Sequence, residues 1–182
     1  MPVEMPKGMS SCTHFRESLD RGTPYTGSVI RQAGPQDVRF LRDMLKHAYH
    51  WRLNADPDLP VARYVNNGGR PGDAGLIAWE NGPIGAAWYR VFPADAPGFG
   101  FVDESTPELT IAVVPSRRGR GYGHELLSGL LDCARKDGFE AISLSVAKDN
   151  PARHLYERYG FQQVREDDGA VVMRAALSKP TP

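Results

Sequence analysis

The residues best equipped for chemistry lie in one run, PSRRGRGYGHELL, residues 115–127. Gly119, Gly121 and Gly123 remove side chains where the oxygens of a ligand can approach backbone N–H groups. The apolar residues that follow, Leu126, Leu127, Leu130, Leu131 and Ala134, recur with helical spacing, so a helix begins at the glycines and turns its unpaired N–H groups and positive dipole end toward them. Arg117, Arg118 and Arg120 add positive charge. The pattern suits a pyrophosphate; a plain glycine-rich turn entering a helix is the alternative. Spacing excludes two familiar nucleotide loops. No lysine follows the glycines as a Walker loop requires, and a dinucleotide fingerprint counted from Gly119 meets His124 where its third glycine belongs.

Other clusters carry less. Asp43, His47 and His50 share one helical face at metal-like spacing, but no third strong ligand joins the two histidines, so no metal is expected. The segment HAYHWR, residues 47–52, offers imidazole and aromatic groups to an amine or aromatic acceptor, or packs Tyr49 and Trp51 into a core. The run RRGR is a nucleic-acid candidate without interleaved aromatics, and Lys plus Arg equals Asp plus Glu at 22 each, so no basic field supports it. Cys12 and Cys133 are too far apart in sequence for a zinc site and too few for a disulfide scaffold, which makes a reducing cytoplasm the simplest compartment. Nothing approaches the roughly 18 apolar residues of a membrane span, and mean hydropathy is −0.44.

The elements that must position these residues fit one domain in 182 residues. Residues 1–27 form a polar leader without the apolar stretch of a secretory signal, residues 28–177 the domain, and residues 178–182 a tail. A strand at 28–32 stops at Gly34-Pro35, and a three/four spacing of Val38, Leu41, Leu45 and Ala48 predicts a helix over 35–51. Asp56-Pro57 opens a further helix that Gly68-Gly69 ends. Strands at 76–79 and 84–92 flank Asn81-Gly82, a tight hairpin turn. Residues 93–107 are a long Pro-, Gly- and acid-rich loop, long enough to suggest a role in function. Strand 108–114, the glycine loop, its helix to Gly138 and strand 141–146 make a right-handed βαβ unit with parallel strands. Asn150-Pro151 opens a short helix ending at Gly160, and 161–165 with 170–176 form a final hairpin. The fold class is α/β with a mixed sheet.

Arg118-x-x-Gly121-x-Gly123 resembles the acyl-CoA signature of the GNAT superfamily of N-acetyltransferases. The likeness continues into IAVVP upstream and SLSVAKDNPARHLYERYGF downstream; it spans roughly residues 28–176 and is strong over 108–161. It implies a single α/β (α+β) domain whose mostly antiparallel sheet holds a central, splayed parallel pair, with acetyl-CoA as acetyl donor. The backbone of Ile111, Ala112 and Val113 would pair with the pantetheine arm, Arg118, Gly119, Arg120, Gly121, Tyr122, Gly123 and His124 would hold the pyrophosphate, and Asn150 would contact CoA as well as cap its helix.

Tyr156 matches the superfamily tyrosine that resembles a general acid for the departing thiolate, and a phenol near pKa ~10 suits that task; packing in the core is its other use. Where the family often carries a glutamate base, five residues before the asparagine, this chain has Ser145. Proton removal therefore falls to another group acting through water, with Glu108 foremost and Asp103 and Glu104 behind it. The resemblance implies an N-acetyltransferase acting on a primary amine of a small molecule or peptide in a ternary complex, cytoplasmic, without nucleic-acid or membrane partners, in a superfamily whose members are often dimers. A non-catalytic acyl-CoA sensor that kept the loop and lost the base is the alternative, separated from an enzyme by acetyl-CoA consumption.

Overall fold

The computed structural model describes residues 29–50, 61–66 and 68–178. The leader with Cys12, the Trp51 and Asp56-Pro57 segment, Asn67 and residues 179–182 lie outside the described residues. In chain order the elements are β1 (Val29–Gln32), α1 (Val38–Ala48), α2 (Val61–Val65), β2 (Ala74–Trp79), β3 (Pro83–Arg90), β4 (Glu108–Val113), α3 (Tyr122–Lys136), β5 (Ala141–Ala147), α4 (Arg153–Arg158), β6 (Gln162–Asp167) and β7 (Ala170–Ala176).

The helix expected over 35–51 opens as a 3-10 turn at Pro35–Asp37 and becomes α-helical at Val38. The reason is local. Asp37 accepts the Gly34 N–H at 2.8 Å and both arms of the Arg31 guanidinium at 2.7 and 2.8 Å, which ties the turn back to β1. Between β2 and β3, Asn81 and Gly82 take φ of 55° and 146°, the positive values that the Asn-Gly pair predicts.

The seven strands form one sheet in the order β1-β2-β3-β4-β5-β7-β6. Every neighbouring pair is antiparallel except β4 and β5, which run parallel and are in register at Glu108↔Ser143 alone. Beyond that pair the two strands diverge. Alternation then sorts their side chains. Leu109, Ile111 and Val113 with Ile142, Leu144 and Val146 pack against Leu126, Leu127, Leu130 and Leu131 of α3. The opposite face carries Glu108, Thr110 and Ala112 beside Ser143 and Ser145, and α1 and α2 cover it with Met44, Leu45, Tyr49, Tyr64 and Val65. A buried strut closes the far end: Arg90, 3% exposed, gives Nε and Nη2 to Asp73 and Nη1 to the carbonyls of Arg63 and Asn66.

Candidate active site

The divergence of β4 from β5 opens a cleft of about 760 Å³. One end is the glycine loop. Gly119 and Gly121 hold φ of 74° and 89°, left-handed conformations that favour glycine, and a Cβ at either position would meet nothing within 4 Å. The loop thus bares its backbone where α3 starts at Tyr122. Arg117, Arg118, Gly119, Gly121, Tyr122 and Gly123 line the cleft; Arg120 is exposed and His124 faces Tyr159, whose hydroxyl lies 2.6 Å from Nδ1, so neither belongs to the lining. The loop is anchored from outside the motif. Glu80, in the β2–β3 turn, pairs with Arg117 Nε at 3.1 Å and accepts the Tyr122 hydroxyl at 3.1 Å, while Arg118 Nε donates to the Val113 carbonyl at 3.1 Å.

The middle of the cleft is built from Ile111, Ala112 and Val113 on one side and Leu144 to Ala147 on the other. The β4 backbone past Glu108 has no ladder partner on its β5 side, so an extended ligand chain can take those hydrogen bonds as a strand would. A phosphate-bearing, amide-containing arm fits both halves: exposed N–H groups at a helix start, then an unpaired strand edge. Asn150 also lines the cleft, and its Oδ1 accepts the Ala152 N–H at 2.9 Å, fixing the turn before α4.

Tyr156 reaches the cleft from α4, only 7% exposed, its ring 5.9 Å from Phe161. Burial pushes its phenol well above the ordinary value, so it stays protonated at neutral pH. Sequence spacing placed Tyr156 on a helix with Leu155 and Tyr159; its aim into the cleft is a tertiary fact.

Glu108 stands behind the cleft floor. It is 2% exposed and does not line the cleft, and its Oε1 accepts the hydroxyls of Tyr64 at 2.7 Å and Tyr49 at 3.3 Å. Tyr64 also accepts the Phe99 N–H at 2.7 Å, and burial, with Tyr49 and Glu108 adding to it, holds its phenol well above the usual range. The long loop of residues 93–107 seals this group: a Cβ on Gly98 would stand 2.0 Å from Glu108 Oε2, and one on Gly100 would stand 2.6 Å from the Leu144 carbonyl carbon. Both glycines are required by close approach. Asp103 and Glu104 are spent on the loop itself. Asp103 accepts Ser105 N–H and Oγ at 2.9 and 2.6 Å, which lowers its pKa, and Glu104 accepts the Ala94 N–H at 2.8 Å.

Ser145 lines the cleft as well. His47, in the last turn of α1, and Tyr49 and His50 just past its end also line the cleft. Among the described residues no group of three His, Cys, Asp or Glu is placed to hold a metal ion, and no helix is long and apolar enough to cross a membrane. Sequence reasoning missed Tyr64 and Glu80. A five-residue helix shows no periodicity that would single out Tyr64, and a turn glutamate carries no signal until the fold brings it to the loop.

A splayed parallel pair, a glycine loop at a helix start and a buried tyrosine in the intervening cleft define an acyl-CoA-binding acetyltransferase scaffold. The acetyltransferase (GNAT) family model matches residues 38–161, and the chain belongs to that family. It is 38% identical over 63 residues to a [ribosomal protein bS18]-alanine N-acetyltransferase of Haemophilus influenzae, a stretch covering 35% of this chain and 42% of that protein. It is 34% identical over 80 residues to an L-2,4-diaminobutyric acid acetyltransferase of Nocardia farcinica, covering 36% of this chain and 42% of that one. The chain thus spans under half the length of these curated relatives. The GNAT domain of S. lividans PAT shares the fold, with a TM-score of 0.63 at 20% identity over 82% of this chain and 90% of that one.

Proposed function

We propose that the chain is an acetyl-CoA-dependent N-acetyltransferase that moves an acetyl group to a primary amine of a small molecule or peptide. The observation that carries the reading is one continuous cleft joining a bared backbone loop, an unpaired strand edge and a buried phenol. When bound, acetyl-CoA supplies an activated acetyl thioester. The N–H groups of residues 119–124 and the charges of Arg117 and Arg118 bind its phosphates, and the β4 backbone at Ile111 to Val113 aligns its amide-bearing arm. Arg120 and His124, carried over from the family motif, contribute their backbone N–H groups alone, since neither side chain lines the cleft.

Tyr156, kept neutral by burial, gives its proton to the leaving sulfur. Glu108 takes the proton of the acceptor amine without touching it. Backbone N–H groups of the floor stabilise the negative charge that develops on the carbonyl oxygen. The sensor alternative is not favoured, because the family model and the named relatives are acetyltransferases and the cleft holds a buried phenol that cofactor binding alone does not need.

Acetyl-CoA should stabilise the folded chain by about 2.7 kcal/mol at a hundredfold excess over Kd. The decisive experiment is acetyl-CoA consumption across amines that include a peptide with N-terminal alanine and L-2,4-diaminobutyrate, chosen from the names of the relatives. Thermal stabilisation without turnover on any amine would return the chain to the sensor reading; the absence of both stabilisation and turnover would overturn the assignment.

A further inference from the structure

Glu108 cannot reach an amine in the cleft, since it lies behind the floor with Oε1 occupied by two tyrosine hydroxyls. The two are not equivalent. The Tyr64 hydroxyl donates to Glu108, accepts the Phe99 N–H and lies away from the cleft, its ring against Phe92 and Phe99. Tyr49 makes the longer bond to Glu108, 3.3 Å, and also lines the cleft. A hydroxyl donates one hydrogen bond and accepts two, so a lining residue whose hydroxyl donates to Glu108 is chemically able to pass a proton on to that carboxylate.

The floor beside it is unusual. Thr110 Oγ1, Ser143 Oγ and Ser145 Oγ are buried without a hydrogen-bond partner among the described residues. Thr110 is 3% and Ser143 0% exposed. Register and alternation put all three on the Glu108 face of the β4–β5 gap, and Thr110 and Ser145 line the cleft. Buried hydroxyls without partners are costly, and valine or alanine would fill the same space at no such cost, so a floor of three calls for a polar guest. Of the nearby charged and titratable groups, Arg90, opposite Glu108 in register on β3, is consumed by Asp73 and two carbonyls, while His47 on α1 and His50 just past its end line the cleft.

We propose that Tyr49 relays protons from the cleft to Glu108, fed by water that the hydroxyls of Thr110 and Ser145 hold against the acceptor amine. The inference rests on the reading of Glu108 as the base. The step balances: the ammonium loses one proton and becomes the attacking amine, Tyr49 gains one on the cleft side and gives one up to Glu108 Oε1, and Glu108 becomes a neutral carboxylic acid. Tyr49 is unchanged, and Glu108 later releases its proton by the same route. Tyr49 acts on the proton; Thr110 and Ser145 are positioning residues.

The test compares full-length Tyr49→Phe, Thr110→Val, Ser145→Ala and Glu108→Gln. Acetyl-CoA consumption is followed from pH 6 to 10 with the alanyl peptide, with L-2,4-diaminobutyrate and with water alone as acceptor. Acetyl-CoA affinity and melting temperature are measured beside it. Tyr49→Phe keeps the ring that packs on Tyr64 and Phe99. It should lower turnover roughly 10²-fold at neutral pH, with the loss shrinking as the free amine fraction grows and acetyl-CoA affinity unchanged. Thr110→Val and Ser145→Ala should slow turnover several-fold without lowering the melting temperature, because each deletes a hydroxyl that has no hydrogen-bond partner among the described residues. The wild-type rate should depend on deuterium fraction with the curvature of several protons in flight, and Tyr49→Phe should remove that curvature.

Tyr49→Phe within twofold of wild type at every pH, beside an impaired Glu108→Gln, overturns the relay and leaves Glu108 as base by another route. An equal loss at every pH, or a weakened acetyl-CoA affinity, assigns Tyr49 to scaffolding and likewise overturns it. A wild-type rate in Glu108→Gln removes the base reading and the relay with it. If Tyr49→Phe does not fold, wild-type rates and pH profiles in both Thr110→Val and Ser145→Ala overturn the proposal.

Discussion

Replacing Gly123 by aspartate should raise the stability of the free protein and ruin its affinity for acetyl-CoA. Gly123 is the second residue of α3, two residues after the left-handed Gly121, and a Cβ there meets only Leu155 Cδ2 at 3.9 Å, an ordinary contact. Gly121→Asp would confound strain with charge, because φ at Gly121 is 89°; Gly123 carries no such burden. A carboxylate in the first turn of a helix contributes about 0.3–1 kcal/mol through the dipole, and losing a helical glycine adds a few tenths more. The free protein should therefore melt at the same temperature as wild type or slightly higher. Toward the cofactor the sign reverses. A unit charge about 4 Å from a phosphate charge costs roughly 4 kcal/mol at an effective dielectric of 20, which screening at an exposed loop reduces to about 2 kcal/mol, or some thirtyfold in Kd at 0.15 M salt. Gly123→Asn controls for size. Calorimetric titration of acetyl-CoA into both variants at two salt concentrations isolates the charge: aspartate should bind far more weakly than asparagine, and the gap should narrow as salt rises. Equal affinities for the two variants, or wild-type affinity in a folded Gly123→Asp, would refute the placement of the phosphates at this helix start.

Tyr156→Phe should cut turnover by about 10²–10⁴-fold while acetyl-CoA affinity stays as it was; because burial raises this phenol above its ordinary value, no alkaline fall in rate below pH 10 should trace to it. Arg90→Met leaves Asp73 and two carbonyls buried without their cation and should cost about 3–5 kcal/mol by urea denaturation; a loss under 1 kcal/mol would show that water replaces the guanidinium. The Asp37 carboxyl is held below the usual range by the Arg31 guanidinium first and by the Gly34 N–H as well. A depressed folded value stabilises above the unfolded pKa near ~3.9 and is lost as pH falls through the folded value, so Asp37→Asn should be less stable than wild type at pH 7 and approach it below about pH 4. Urea midpoints between pH 2 and 7 that stay parallel would contradict this. Gly98→Ala should push Glu108 from its two tyrosines and slow turnover more than it changes acetyl-CoA affinity, and wild-type kinetics would show that the loop yields instead.

Much of the scaffold was legible in the chain because its signals are local. Helical spacing from Leu126 to Ala134, the positive-φ pair Asn81-Gly82 and the strand–loop–helix–strand order from Glu108 to Val146 follow from side-chain period and backbone sterics, and the resemblance extended that stretch into a family fold. Strand alternation likewise sorted Glu108 and Thr110 from Leu109 and Ile111. Several boundaries departed from expectation by one or more residues; the first helix ends at Ala48, and it starts through a 3-10 turn because the Arg31–Asp37 contact across six residues decides how the chain leaves β1.

The environment of each candidate was decided by tertiary structure alone. Glu108 read as a strand-end acid; its burial, its two tyrosine donors and the glycine-lined loop over it come from residues 49, 64 and 98, which only packing brings together. The same holds for Glu80, 37 residues before Arg117 and bonded to it across the cradle. Period and propensity act over a few neighbouring residues, so the sequence by itself determined which strands and helices form and where the glycine loop lies. Burial, hydrogen bonding and the protonation of a carboxylate or phenol depend on groups distant in the chain, so only the folded molecule decided what Glu108, Tyr49 and Tyr156 are positioned to do.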